Sequence, residues 1–309
     1  MTSASRRALK AVALAVIGWF IWRALRAQWD AFGAVQVPTR FHVGWLAVSC
    51  LAIGCTYLVQ MASWRGVLRA WGQPLRPVGM ARIWFLTNLG RYVPGKVWSV
   101  AGMVVLAQRE GVRAWAAAGG AVAVQALGLA TAAAVAALCL PGGTALGALA
   151  LAAAVSAGGL AVLASPTLIA WFAARVPRVG DLRALPPGAL ATSVALTGLG
   201  WVGYGVAFEA LCRGLVEGPT VGVVRATGAF ALAYVAGLLV LVAPAGLVVR
   251  ETMLVGLLAP VMGGAPALLV SVASRLQLTL AEVAAGLLGL ALPGPPATAA
   301  PAPSPRTPA

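Results

Sequence analysis

Acidic residues, and charged residues in general, are scarce in this sequence. Only 9% of the 309 residues are charged, and 7 Asp or Glu stand against 22 Lys or Arg. Soluble domains carry about 25% charged residues, so the composition excludes an ordinary soluble protein. The few carboxylates form no obvious acid/base pair, and there is no P-loop lysine motif, serine elbow or His-Glu-x-x-His motif. We therefore expect neither enzyme activity nor a cofactor.

Cysteine and histidine are also rare. The four cysteines, Cys50, Cys55, Cys139 and Cys212, lie in or beside apolar segments and form no Cys-x-x-Cys pair. His42 is the only histidine, and it has no acidic or thiol residue near it in sequence. We predict no metal site and no disulfide, and we interpret the cysteines as small buried side chains.

Apolar residues make up most of the chain. They account for 61% of it, and the mean hydropathy is +0.92, whereas soluble domains are about 45–50% apolar. This composition predicts an all-α, polytopic membrane protein. The formal charge of +15 is accompanied by no nucleic-acid-binding motif. We interpret the basic excess as setting topology and attracting anionic lipid headgroups.

The apolar segments predict seven or eight membrane-spanning helices and two interrupted segments. The predicted helices are Ala8–Leu25, Phe41–Trp64, Ala114–Leu140, Leu146–Phe172, Ala189–Cys212, Thr227–Ala243 and Ala267–Leu292. Residues 1–292 form the membrane domain, and the Pro/Ala-rich residues 293–309 are predicted to be a disordered tail. Basic residues in the N-terminus and after the second helix place both in the cytoplasm, at the cell membrane.

The first interrupted segment, Ile83–Ala107, has two cations near its centre. In a straight helix Arg91 and Lys96 would lie near the bilayer midplane, at about 2.5–3.5 kcal/mol each. Pro94 removes a helix hydrogen bond, and Gly95 permits a bend. Basic residues flank both ends, so we interpret the segment as a re-entrant hairpin with a cationic tip. A surface loop between two short core helices is the alternative.

No acidic residue near this tip in sequence neutralises its cations, so an anionic ligand is expected to do so, assisted by backbone amides at the helix break. Gln125, in the next apolar helix, would hydrogen-bond either to the hairpin or to another helix.

The second interruption lies at Pro244 and Gly246. Arg250 and Glu251 follow it, and the apolar arm after them, Thr252–Met262, is too short to cross a bilayer. Interrupted segments in both halves of a chain are typical of the substrate site of a transporter.

Two further charges, Arg275 and Glu282, lie two turns apart in the last predicted helix. We predict ion pairs from Arg275 to Glu251 and from Arg250 to Glu282. A purely structural role for these residues is the alternative to a role in binding.

The run Gly198–Gly203 fits the dinucleotide pattern Gly-x-Gly-x-x-Gly. It follows no strand and opens no βαβ unit, so we interpret it as a site of close helix packing.

Two motifs resemble a known family. Residues 88–112, NLGRYVPGKVWSVAGMVVLAQREGV, followed by Gln125, are similar to the first signature of the lysylphosphatidylglycerol-synthase transmembrane-region family, also described as flippase-like membrane proteins. Residues 243–258, APAGLVVRETMLVGLL, followed by Ser274-Arg275 and Glu282, resemble its second signature. One departure is Val248, which stands where the family usually has a glycine.

The resemblance implies a helical bundle with re-entrant segments that moves a lipid between leaflets. In the best-known members a soluble aminoacyl-transfer domain follows the membrane part. This chain ends in the Pro/Ala-rich tail instead, so we expect a stand-alone member without synthase activity. Stand-alone relatives are linked with moving phospholipids or polyprenyl-phosphate-linked sugars.

Our hypothesis is a flippase for an anionic phospholipid or a polyprenyl-phosphate-linked lipid. The two cations of the first segment would bind phosphate, neighbouring side chains would line the headgroup cavity, and the charges of the second segment would form a second contact or gate. The predicted site residues are Asn88, Arg91, Tyr92, Lys96, Trp98, Gln125, Arg250, Glu251, Arg275 and Glu282, with helix breaks at Pro94, Gly95, Pro244 and Gly246.

Two other classes of function stay open. A non-transporting scaffold would recruit a membrane glycosyltransferase or lipid synthase, and a membrane-embedded lipid-modifying enzyme would depend on Glu251 or Glu282. Homo-oligomerisation is also left open, and no nucleic-acid partner is expected.

Overall fold

The described part of the chain is a bundle of α-helices. The computed structural model describes residues 41–92, 97–140, 183–218, 220–239 and 249–295, with scattered positions between 15 and 30 and between 150 and 167. The helices are α1 (Val43–Ala70), α2 (Pro77–Asn88), α3 (Val97–Arg109), α4 (Ala114–Cys139), α5 (Pro187–Leu215), α6 (Val223–Leu239), α7 (Val249–Met262) and α8 (Gly264–Ala291), and a 3-10 turn covers Leu89–Tyr92. The predicted all-α class is confirmed.

Four of these helices, α1, α4, α5 and α8, are long and apolar enough to cross a membrane. The predicted helices Ala8–Leu25 and Leu146–Phe172 lie largely outside the described residues, as do positions 296–309 of the predicted tail. The count of seven or eight spans therefore stays a prediction. Helix α1 ends at Ala70, six residues beyond its predicted end, and so includes Arg65 and Arg69.

The cysteines of α1 correct one interpretation made from the sequence. Cys212 is buried, but Cys50 and Cys55 are exposed. They lie on the part of α1 that also exposes Leu51 and Leu58. In a bilayer the surroundings are apolar, so a thiol can face outward as a small apolar side chain.

Helices α2 and α3 form an antiparallel hairpin. A Cβ added to Gly90 would lie 2.8 Å from the backbone nitrogen of Ser99, and one added to Gly102 would lie 3.3 Å from the Thr87 side chain. At the open end Arg76 pairs with Glu110 at 2.8 Å. Each arm has 12 or 13 residues, about 20 Å at 1.5 Å per residue. Neither arm alone can cross a hydrocarbon core of about 30 Å.

Two glycines of α8 let the hairpin lie directly against that helix. A Cβ on Gly286 would lie 2.5 Å from the Leu89 side chain, and one on Gly289 would lie 3.1 Å from Cβ of Phe85. Because small residues allow close approach of helix backbones, α2 packs tightly on α8. This contact brings the tip of the hairpin beside the middle of α8.

The hairpin depends on a glycine at its narrowest point. Gly90→Ala should lower the melting temperature in detergent, because its new methyl group would meet the backbone of Ser99 and force the arms apart. Gly54→Ala is the matched control, since nothing lies within 4 Å of its added Cβ and Ala favours a helix. Equal melting temperatures for the two variants would contradict this hairpin geometry.

Helices α1 and α5 pack antiparallel through small residues. A Cβ on Gly200 would lie 2.9 Å from Gln60, and one on Gly203 would overlap the hydroxyl of Thr56. Further along, Ser63 and Thr197 share a hydrogen bond of 3.0 Å. The glycine run therefore serves close helix packing, as interpreted from the sequence.

Helices α7 and α8 are joined by a tight turn at Gly263, whose φ of +88° is a conformation that favours glycine. Helix α7 has 14 residues, about 21 Å, so it is also too short to cross alone. It begins at Val249, three residues before the predicted arm. Arg250 and Glu251 therefore lie in its first turn, on the helix itself.

Basic side chains gather at one end of the bundle. The end of α1, the open end of the hairpin and the start of α5 carry Arg65, Arg69, Arg76, Arg109, Arg113 and Arg183. The hairpin rises from this end, and its tip with Arg91 lies about 20 Å deeper along the bundle.

Candidate functional site

A cavity of about 240 Å³ lies among the described helices, and each of the eight contributes at least one residue to its lining. Its polar and charged lining includes residues far apart in sequence: Gln60, Asn88, Arg91, Gln125, Arg250 and Glu282. Among the described residues the charged lining is two arginines and one glutamate. Such a cavity favours an anionic guest.

Arg91 lies at the hairpin tip and pairs with Glu282 of α8. Its Nη1 donates to the Glu282 carboxylate at 2.6 Å, and its Nη2 donates to the Asn88 amide oxygen at 3.1 Å. The hydroxyl of Tyr92 donates to the other carboxylate oxygen at 2.7 Å. Both residues line the cavity, and Arg91 is the more accessible partner, since its side chain is 46% exposed and that of Glu282 is 3% exposed.

This arrangement corrects two expectations. The hairpin tip lacks an acidic neighbour in sequence, but the fold supplies one in Glu282. The predicted ion pair between Glu282 and Arg250 is absent, because Glu282 pairs with Arg91 of the hairpin tip instead.

Arg250 enters the same cavity from the first turn of α7. Its guanidinium lies 4.6 Å from the centre of the Phe230 ring, and its Nη2 is 3.4 Å from Oγ of Ser274. Among the described residues no carboxylate lies within 4.0 Å of this guanidinium. A cation–π contact and one hydroxyl neutralise little of its charge, so Arg250 is the cation best placed to attract an anion.

The predicted pair of Glu251 and Arg275 is present, at 2.6 Å. Both side chains are largely buried, at 16% and 7% exposure, and neither lines the cavity. The pair joins α7 to α8, with the Ser271 hydroxyl at 3.5 Å from the Glu251 carbonyl oxygen. These two residues therefore connect α7 to α8 outside the cavity lining.

The other predicted residues divide into three groups. Asn88 and Gln125 line the cavity. Tyr92 is buried behind Glu282, and Trp98 is 55% exposed and lies outside the lining. The remaining positions, Pro94, Gly95, Lys96, Pro244 and Gly246, lie outside the described residues.

An aromatic wall was not anticipated from the sequence. Trp201 and Tyr204 of α5 and Phe230 and Tyr234 of α6 all line the cavity. Trp201 and Tyr234 have ring centres 4.8 Å apart, and Tyr204 stacks on Phe230 at 5.3 Å. Their spacings of three and four residues put each pair on one helix face, which was the available signal. The wall provides a firm apolar surface beside the two arginines.

Most of the chain matches a known protein family. Residues 10–286 match the family described as "Lysylphosphatidylglycerol synthase TM region". That range covers all the helices described above except the last turns of α8. No curated protein matches the chain.

Proposed function

The chain belongs to the lysylphosphatidylglycerol synthase transmembrane-region family, and from that premise we propose that it moves an anionic lipid between the leaflets of the cell membrane. The lipid would be an anionic phospholipid or a polyprenyl-phosphate-linked lipid. Its headgroup would enter the cavity while its chains stay in the bilayer.

The observation that carries this proposal is Arg250, a guanidinium on the cavity wall with no carboxylate within 4.0 Å among the described residues. A charged side chain inside a membrane protein normally faces a partner or a pathway. Arg91 lines the same cavity, so a phosphate bound by Arg250 can also reach a second guanidinium. In this proposal Arg250 takes the leading role that the sequence assigned to Arg91 and Lys96, and the role of Lys96 stays a prediction.

The position of the hairpin tip, deep along the bundle, supports the same function. The hairpin arms are too short to cross, so we propose that the hairpin is re-entrant and begins at the basic, cytoplasmic end of the bundle. Its tip would then hold Arg91 within the hydrocarbon region, where an anionic headgroup must be solvated during transfer. The proposal uses no residue as a catalyst.

Purified protein in phosphatidylcholine vesicles tests this function. A trace of fluorescently labelled phosphatidylglycerol should become fully accessible to external dithionite, whereas protein-free vesicles lose only their outer-leaflet label. Labelled phosphatidylethanolamine should move about tenfold more slowly, because its own ammonium competes for the phosphate. A labelled polyprenyl phosphate in parallel vesicles separates the two anionic classes.

The proposed function is contradicted if both anionic probes move no faster than they do in protein-free vesicles. Co-purification of a glycosyltransferase or lipid synthase with that inactive protein would then favour the scaffold.

A further inference from the structure

Glu282 is a buried carboxylate that lines the cavity of a membrane helix bundle. Its two oxygens accept hydrogen bonds from Arg91 and Tyr92 at 2.6 and 2.7 Å. The proposed function gives a role to the cations that line the cavity and none to Glu282. Buried acids in membrane helices commonly take part in proton movement.

The groups that face Glu282 come from several helices. Arg91 and Tyr92 at the hairpin tip contact it directly, and among the other described side chains Tyr57 on α1, Tyr204 on α5 and Arg250 on α7 interact with it electrostatically. Arg91 is, within the described ranges, the cation in direct contact with the carboxylate. The charge of Glu282 therefore depends chiefly on whether Arg91 stays with it.

A lipid phosphate would compete with Glu282 for Arg91. The guanidinium of Arg91 faces the cavity, and its present bonds go to one carboxylate oxygen and one amide oxygen. A phosphate between Arg250 and Arg91 can replace that carboxylate. Glu282 would then be a buried acid without a cation, a situation in which burial favours the neutral, protonated form.

We propose that Glu282 binds one proton whenever the lipid phosphate replaces it on Arg91, so that the lipid anion and a proton cross the membrane together. This inference rests on the proposed function. The proton comes from cavity water and binds the oxygen that Arg91 has released, and Tyr92 keeps its hydrogen bond to the other oxygen. No covalent bond of the lipid changes.

The step balances in charge. A headgroup with one negative charge enters together with one proton, so the charge on the cavity and its guest is the same before and after binding. When the phosphate leaves on the far side, Glu282 returns the proton to water and pairs again with Arg91. Transfer is then electroneutral and follows the proton gradient.

A pH gradient across the vesicles tests the coupling. Wild-type protein is reconstituted in phosphatidylcholine vesicles that contain a trace of labelled phosphatidylglycerol. The external buffer is then made one pH unit more acid than the interior, and valinomycin with equal potassium on both sides holds the membrane potential at zero. Coupling of one proton to one lipid predicts about a tenfold excess of label in the inner leaflet at steady state, because one pH unit is a tenfold ratio of protons. Protein-free vesicles in the same gradient provide the baseline.

Glu282→Gln removes the proton site and should give equal label in both leaflets under the same gradient. Glu209→Gln is the matched control and should keep the tenfold excess, because Glu209 is also buried and paired with an arginine, Arg213 at 2.8 Å, but does not line the cavity. A tenfold excess with Glu282→Gln would overturn the assignment of the proton to Glu282.

The two proposals fail in different ways. Wild-type protein that moves the label but leaves it evenly distributed overturns proton coupling and leaves the flippase standing. Wild-type protein that moves no label overturns both. If Glu282→Gln does not fold, a measurement on the wild-type protein still tests the coupling. Pyranine inside the vesicles should report one proton entering for each labelled lipid that enters. Lipid entry without acidification of the interior would contradict the coupling.

Discussion

Arg250→Gln should slow movement of labelled phosphatidylglycerol by about ten- to a hundredfold, because a hydrogen bond to a charged group contributes about 1.5–3 kcal/mol. Arg250 lines the cavity and has no carboxylate within 4.0 Å among the described residues. Its loss therefore removes attraction for the headgroup and breaks no ion pair, so the melting temperature should change little. The measurement is the initial rate of dithionite-accessible label at equal protein density.

The matched control is Arg225→Gln. Arg225 lies in the first turn of α6 and does not line the cavity. It should keep the wild-type rate, which separates the effect of the cavity cation from a general loss of positive charge. Equal rates for Arg250→Gln and wild type would remove the main support for the proposed phosphate site.

Arg91→Met should lower the free energy of unfolding by about 3 kcal/mol, since breaking a buried ion pair costs about 3–5 kcal/mol when one charge is left alone. The stranded group is Glu282, whose side chain is 3% exposed. The measurement is denaturant unfolding of the detergent-solubilised protein near neutral pH.

A double variant separates the ion pair from packing. Arg91→Met with Glu282→Gln removes both charges, and Tyr92 can still donate to the new amide oxygen. Replacement of both partners is often nearly neutral, so most of the lost stability should return. A double variant as unstable as Arg91→Met would show that the arginine acts through its packing.

The helical hairpin is a feature that neighbouring residues in the sequence predicted. Arg91 near a proline and two glycines indicated a broken segment, and the structure describes two short antiparallel helices on either side of it. These features are local, because helix formation and interruption depend on neighbouring residues. The breaks at Pro94 and Gly95 themselves lie outside the described residues and stay predictions.

The ion pairs could be predicted only in part from the sequence. Glu251 and Arg275 were paired correctly, since each lies 12 residues from the turn at Gly263 and the two helices that meet there bring them side by side. Arg250 was assigned to Glu282 incorrectly, because Arg91, 191 residues away along the chain, takes that carboxylate. Nothing local predicts that partner.

The sequence by itself determined the solvent and the class of fold. An apolar chain with few charges must be surrounded by lipid, and in lipid its backbone must form helices. It also identified Arg91 and Arg250 as charges that such a chain would not carry without a reason. Those conclusions need only composition and neighbouring residues.

Only the tertiary structure decided which of the two described cavity arginines has a carboxylate partner. Gly286 and Gly289 let the hairpin lie against α8 and bring Arg91 to Glu282, so Arg250 faces the cavity without that carboxylate. Pairing between distant charges depends on how closely two helices approach. That distance is determined by side-chain packing across the bundle, which no single segment encodes.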